Sequence, residues 1–186
     1  MSGSSTATID SPVGALTLTA TDEGLTGIEW PVRKAASAAP TGAALVDPLD
    51  HPILFAASTQ LEEYFAGTRQ DFDLPISPQG TGFQLAAWDI LRTIPYGATI
   101  TYGEQARQMG RPSAARAVGA ANGRNPLSIV VPCHRVVAST GALTGFAGGL
   151  DVKAALLDHE RCNLPDWGTT RGGPAYTVRS QAVDVL

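Results

Sequence analysis

The sequence predicts an α/β protein of the α+β kind, with a β-rich N-terminal part and a helical C-terminal part. Three observations predict it. Leu16, Leu18 and Ala20 alternate with Thr17 and Thr19, the period-two pattern of a half-buried strand. Leu54, Ala57, Leu61 and Phe65 recur at helical spacing. Beyond a proline-containing stretch at 68–80, capping residues open one helical pattern after another.

Turn residues Ser11-Pro12-Val13-Gly14 and Asp22-Glu23-Gly24 bracket the first alternating run, and Leu25 to Trp30 reads as the next strand of an antiparallel meander. Residues 31–49 are Ala-, Pro- and Gly-rich without period, which predicts a surface loop. Pro52 suits the first position of a helix and Gly67 the position past its end, so a helix is set over 52–66, with His51 as a helix-start residue. The extended run 68–80 reads as a linker, dividing the chain into domains at 1–80 and 81–186.

Thr81 caps a helix whose buried stripe is Phe83, Ala87, Ile90/Leu91 and Ile94, and Pro95 stops it. Thr101 and Glu104 fit a capping box for a short helix ending at Gly110. Ser113 then caps a second short helix, Ala114 to about Asn122. Helix, tight turn, helix is a helix-turn-helix outline. Residues 127–131 read as a short buried strand or extended run, Asp151 caps a last helix to about Cys162, and a polar tail at 163–186 offers Trp167 and Tyr176 as docking points.

The second short helix is built from Ala114, Ala115, Ala117, Gly119, Ala120 and Ala121, with Arg116 as its one long side chain. Such a slim helix suits close packing against a neighbour. It equally suits entry into a minor groove about 6 Å wide, with Arg116 reaching ahead.

Charge is unevenly placed. The chain of 186 residues has a formal charge of −4, yet residues 81–165 carry eight Lys/Arg against five Asp/Glu, and residues 1–80 carry three against ten. From Arg92 to Arg135 there are six arginines and one acid, Glu104. That asymmetry points the second part at a polyanion. No apolar run approaches the roughly 20 residues of a membrane span. The N-terminus lacks a signal-peptide layout. Two cysteines without regular spacing suit a reducing compartment, so a cytoplasmic protein is expected.

The chemistry centres on Ile129-Val130-Val131-Pro132-Cys133-His134-Arg135-Val136. A lone thiol beside an imidazole has the makings of a nucleophile, but a free thiol titrates near about 8.5 and needs a base or cation to ionise. A third group normally orients the imidazole. Asp158 and Glu160 sit in the final turn of the last helix, where the macrodipole disfavours anions. A carboxylate placed there serves something else, and Cys133, His134 and Glu160 form a Cys–His–acid relay on paper.

Pro132-Cys133-His134-Arg135-Val136 resembles the active-site motif of the O6-alkylguanine-DNA alkyltransferases, the methylated-DNA–protein-cysteine methyltransferases. Ile94-Pro95-Tyr96-Gly97, Thr101-Tyr102, Arg116-Ala117-Val118-Gly119, Asn125-Pro126, Gly145-Phe146-Ala147-Gly148-Gly149-Leu150 and Leu156-Leu157-Asp158-His159-Glu160 match in the family's order and spacing. Residues 11–30 resemble its N-terminal hairpin, and the resemblance covers roughly 7–162.

The resemblance implies a ribonuclease H-like N-terminal domain with an antiparallel sheet. It implies that Cys133 accepts an alkyl group from O6 of guanine, with His134 as base through a water and Glu160 holding His134. Tyr102 would contact the extruded base and help rotate its phosphate. Arg116 would fill the flipped base's place in the stack, and Asn125 would brace the turn before the active site. Ala114, Ala115, Ala117, Gly119 and Arg124 would face DNA, and Arg135, Val136, Phe146 and Ala147 would line the substrate pocket. The implied partner is double-stranded DNA carrying O6-alkylguanine (O4-alkylthymine is a further candidate), bound through the minor groove by a monomer without cofactor or metal. Phe146 stands where many members have tyrosine, and Ala147 where some have serine. The cysteines of the zinc site of some eukaryotic members are missing.

Two other readings compete. A non-catalytic lesion-binding protein of the same fold would lack the cysteine, so Cys133 argues against it. A cysteine hydrolase would need an oxyanion hole, and no residue pattern here supplies one.

Overall fold

The computed structural model describes residues 3–30 and 44–164. The N-terminal part holds strands β1 (Ser5–Ile9), β2 (Leu16–Thr21), β3 (Gly24–Glu29) and β4 (Ala44–Leu45), followed by helix α1 (Pro52–Phe65). The C-terminal part holds α2 (Gly82–Leu91), β5 (Ile100–Thr101), α3 (Tyr102–Gln108), α4 (Ala115–Asn122), β6 (Val136–Val137) and α5 (Leu150–Cys162).

β1, β2 and β3 form the expected antiparallel meander, with Ala7 opposite Leu18 and Leu18 opposite Ile28. The sheet is not antiparallel throughout. β4 lies in the stretch read as loop and pairs parallel with β1, in the order β3-β2-β1-β4. Two exposed residues, Ala44 and Leu45, carry no alternation from which a strand could be read. Leu16, Leu18, Ala20, Leu25 and Ile28 join Leu54, Ala57 and Leu61 of α1 in one buried cluster, which continues into the C-terminal part through Trp88, Leu91, Leu127, Ile129 and Leu156.

The predicted linker packs on the sheet. Leu25 donates to Pro75 O and accepts from Ser77 N, both at 2.8 Å, while Ile28 N donates to Pro126 O at 2.7 Å. One edge of β3 thus binds both the segment entering the C-terminal part and the turn leading to Cys133.

Thr81 and Thr101 each cap their helices with the full reciprocal box, to Gln84 and Glu104. Other starts differ from expectation. Ala114 N donates to Arg111 O, which closes a turn around Ser113 and leaves Ala114 as the N-cap of α4. Gly149 caps α5 in place of Asp151, because its φ of 93° is open to glycine and lets the chain enter the helix two residues earlier. On α2 the buried residues are Ala87, Trp88 and Leu91, with Ile94 buried beyond the helix end. Trp88 replaces Phe83 in the stripe because its indole N–H reaches Ala121 O of α4 at 3.0 Å.

Residues 127–131 are not a strand. Val131 N donates to Leu127 O at 2.8 Å, closing a tight turn, and Ile129 sits at φ 75°. The apolar residues there plug the core: Leu127, Ile129 and Val131 are buried. The Trp167 and Tyr176 docking points lie outside the described residues, as does most of the 31–49 loop.

Candidate active site

The turn that carries Cys133 is braced from inside. Asn125 donates its amide to Val131 O at 2.7 Å and accepts from Leu127 N at 3.0 Å, so one side chain spans the turn. Ile129 in the left-handed region lies between these two bonds, a conformation a β-branched residue adopts only under such constraint. Cys133 N then donates to Val131 O, and Cys133–Arg135 form a single 3-10 turn that presents thiol, imidazole and guanidinium in succession. The following β6 pairs parallel with β5, Ile100 with Val136 and Thr101 with Val137. That pairing sets Tyr102, the first residue of α3, beside the cysteine turn.

Cys133 is buried. Burial pushes its thiol up, against the Asn125 amide, the Lys153 ammonium and Ser128, which favour the thiolate. The resting group is therefore a protonated thiol in a site that assists its ionisation.

His134 and Glu160 are both fully buried, and Nε2 lies 2.7 Å from Glu160 Oε1. Glu160 is the hub of the site. It accepts from Tyr64 Oη at 3.0 Å, from Gly97 N at 2.9 Å, and from Arg135 through Nε at 3.0 Å and Nη2 at 2.9 Å. Burial alone would push this carboxyl up. The His134 ring and the Arg135 guanidinium outweigh burial and hold it well below the usual carboxylate range. An ionised Glu160 has only acceptors to offer, so His134 Nε2 carries the proton and Nδ1 carries the lone pair. Nδ1 is buried and makes no hydrogen bond. Burial also pushes the imidazole pKa down, with Arg135 and Lys153 adding to it against Glu160. The ring is neutral, oriented, and has a free basic nitrogen.

Arg135 explains how an anion survives at the C-terminal end of α5. Its guanidinium neutralises Glu160 and also donates from Nη1 to Ile94 O at 2.6 Å, against the face of Tyr96. The structure thus places the Arg135 guanidinium on the Glu160 carboxylate.

A second buried ion, Lys153, acts on Cys133. Lys153 Nζ donates to Val136 O at 2.7 Å and to Thr144 O at 2.8 Å, and lies 5.9 Å from the Tyr102 ring. Burial pushes its pKa down to about 8, partly offset by Cys133. Tyr102 Oη also donates to Thr144 O, at 3.1 Å. Lysine and tyrosine together fasten the 140s loop to β6. That loop brings Phe146 edge-on to His134 with centroids 6.4 Å apart, and Trp30 of the N-terminal part backs Phe146 at 5.6 Å. A Cβ on Gly148 would lie 2.9 Å from two Trp30 ring atoms, so only glycine lets the indole lie this close.

α3 and α4 are locked by a buried amide pair. Asn122 donates to Gln105 Oε1 at 2.7 Å, and Gln105 Nε2 reaches Asn122 Oδ1 at 3.1 Å and Ala87 O at 2.9 Å. On α4, Arg116 and Ala117 are exposed, as is Arg124 just past its end, while Ala114, Ala115 and Gly119 are half-buried. Gly119 faces Tyr102, where a Cβ would meet the ring at 3.6 Å. Ala147 is exposed and Val136 fully buried.

The structure therefore gathers Cys133, His134, Arg135, Val136, Asn125, Tyr102, Phe146 and Glu160 around one turn, and sets Arg116 and Arg124 on the surface of the helix-turn-helix. Sequence reasoning missed Tyr64, Gly97, Lys153, Trp30 and the Gln105–Asn122 pair. Lys153 carried a usable signal. A cation in the first turn of α5 opposes the macrodipole just as Glu160 does in the last. Among the described residues no cluster of His, Cys, Asp and Glu fit for a metal ion occurs, and no helix is long and apolar enough to cross a membrane.

Two family models match the chain. The 6-O-methylguanine DNA methyltransferase ribonuclease-like domain matches residues 5–78, and the DNA binding domain of the same family matches 82–162. A methylated-DNA–protein-cysteine methyltransferase of Mycolicibacterium paratuberculosis is 48% identical over 159 residues, 85% of this chain and 93% of that one. One from Methanosarcina acetivorans is 46% identical over 154 residues, 83% and 96% of the two chains. The crystal structure of Mycobacterium tuberculosis O6-methylguanine methyltransferase superposes with a TM-score of 0.80 at 43% identity, covering 87% of this chain and 95% of that one. The same organism's OGT in complex with DNA gives 0.78 at 44% identity, covering 86% and 94%. On this evidence, which spans both parts of the fold, the chain belongs to the 6-O-methylguanine DNA methyltransferase family.

Proposed function

We propose that this protein repairs DNA directly, by moving the alkyl group from O6 of guanine onto Cys133. The observation that carries the reading is the buried Glu160–His134 pair, which leaves His134 Nδ1 without a hydrogen bond one residue after the buried Cys133. In the reaction the Cys133 proton passes to His134 Nδ1 through an intervening water. The sulfur attacks the alkyl carbon, the S–C bond forms and the C–O6 bond breaks in line. The electron pair returns to the guanine, which takes up a proton and is restored. Glu160 stays ionised throughout and stabilises the imidazolium. The product is a thioether that cellular reductants do not cleave, so each molecule acts once.

The target carbon lies inside a duplex, so the base must leave the stack, at a cost of a few kcal/mol. The slim face of α4, with exposed Ala117 and Arg116, supports entry from the minor groove, with Arg116 taking the vacated place. Arg124 supplies a phosphate contact. Tyr102, packed against Gly119 and tied to Thr144, lies between that helix and the cysteine and receives the flipped base. Phe146 walls the pocket, and the main-chain groups of Val136 and Ala147 read the base. Asn125 keeps the cysteine turn closed. The protein acts as a monomer without a cofactor.

The test is mass spectrometry after incubation with duplex DNA containing O6-methylguanine. One added methyl group on Cys133 and none on Cys133→Ser is expected, with DNA binding kept in the variant. An unmodified Cys133 peptide or repeated turnover would overturn the reading.

A further inference from the structure

The relay is not confined to the C-terminal part of the chain. Tyr64 lies on α1, within the residues matched by the ribonuclease-like domain, and it is fully buried. Its hydroxyl donates to Glu160 Oε1, the same oxygen that faces His134 Nε2. From this geometry we infer that Tyr64 is a positioning residue for the alkyl transfer, holding His134 neutral by sharing the charge of Glu160. The inference rests on the reading of Cys133 as alkyl acceptor.

Tyr64 is held in place on several sides. Its ring packs edge-on against Phe65 and Tyr96, with centroids 5.2 and 6.0 Å away, and against His159 at 5.0 Å. The His159 ring also reaches back to Tyr64 O at 2.6 Å, tying α5 to the end of α1. The hydroxyl is therefore aimed at the carboxylate by packing and is not a free rotor.

The charged and titratable groups facing this centre are few. Arg135 and Lys153 act on His134 beside Glu160, while Tyr96 and His159 border Tyr64. Oε1 is shared among Tyr64, His134 and Arg135, and Oε2 is met by Arg135 and the Gly97 amide. Each donor drains charge that would otherwise stabilise an imidazolium. Burial pushes the Tyr64 hydroxyl well above its usual range, with Glu160 adding to it, so it stays a donor at all working pH values. Without it, Glu160 would be more basic, His134 would hold a proton more firmly, and part of the resting population would have no free base. The N-terminal part thus sets the working pH of a reaction whose nucleophile lies in the other part.

Tyr64→Phe in the full chain keeps the packing and removes the donor. The chain has three histidines, so the His134 ring can be followed by nitrogen-detected NMR across a pH series. The expected result is a His134 titration moved upward by about half a pH unit or more, with the acid limb of the single-turnover rate on free O6-benzylguanine moving with it. A second measurement places 3-fluorotyrosine at Tyr64. Its stronger donor should move both midpoints downward. Unchanged His134 midpoints in both proteins would reduce Tyr64 to packing and overturn the inference. Wild-type protein that does not alkylate would instead overturn the reading of Cys133, while the NMR midpoints would still decide the role of Tyr64.

Discussion

Lys153 on α5 donates to the carbonyl oxygen of Val136 at 2.7 Å, so a fully buried ammonium holds the strand that leaves the cysteine turn. A second bond to Thr144 O draws the 140s loop to the same point. The cation that supports the thiolate is also the fastener of the pocket.

Lys153→Met should therefore fail in two ways. Two carbonyls lose their donor, at about 1–3 kcal/mol for buried groups left unsatisfied. The thiolate loses its cation, so the alkylation rate at pH 7 should fall by about tenfold or more. Stability against pH separates the two. The folded pKa of Lys153 is depressed to about 8 from an unfolded value of about 10.4. Between those values the unfolded chain binds the extra proton, so this group makes stability rise with pH there. Urea unfolding at pH 7.5 and 9.5 should show that rise in wild type and a smaller one in Lys153→Met; equal slopes would contradict a depressed lysine.

Glu160→Gln removes the charge and keeps the shape. Arg135 is then left buried without its anion, a loss of about 3–5 kcal/mol. The folded pKa of Glu160 lies below the unfolded value of about 4.3. Its stabilisation is full above that value and is lost as pH falls toward the folded one. Acid unfolding should thus be steeper in wild type than in Glu160→Gln below about pH 4. Circular dichroism across that range checks it.

Ile129 at φ 75° gives a reversal of the usual order of two substitutions. Both Ile129→Ala and Ile129→Gly empty the same buried space. Glycine is normally the worse choice, by about 0.5–1 kcal/mol in regular structure. In the left-handed region alanine keeps the Cβ clash, so Ile129→Gly should be the more stable by about 1 kcal/mol. Denaturant midpoints of the two variants decide this; alanine as the more stable would mean that the turn relaxes out of the left-handed region.

Arg116 is exposed at the first turn of α4 and touches no part of the relay. Arg116→Ala should slow the repair of duplex DNA by about tenfold or more, as expected for a lost intercalating side chain. The rate on free O6-benzylguanine should stay within about twofold, because no base has to be extruded. Single-turnover rates on both substrates test it, and equal losses would remove the finger role.

Local chemistry carried much of this protein into its sequence. The alternation at 16–20, the Thr81 cap, the Thr101 capping box and the Cys133-His134 pair are signals within a few residues, and all were legible. Glu160 was legible because it opposed its own helix dipole. What the sequence did not show was what depends on meeting a distant partner. Residues 129–131 look like a strand because buried apolar residues have the same composition in a strand as in a plugged turn, and only the Asn125 bonds tell them apart. β4 was hidden because two exposed residues have no period. Arg135 sits next to the nucleophile in sequence, yet its guanidinium belongs to a carboxylate 25 residues away. Tyr64 meets that carboxylate across 96 residues. The sequence by itself determined the Cys133-His134 pair, the helix-turn-helix and the run of six arginines from Arg92 to Arg135, because each is written in neighbouring residues. Only the tertiary structure decided which nitrogen of His134 is left without a hydrogen bond, because that follows from five donors converging on one carboxylate, and convergence is a property of the folded chain.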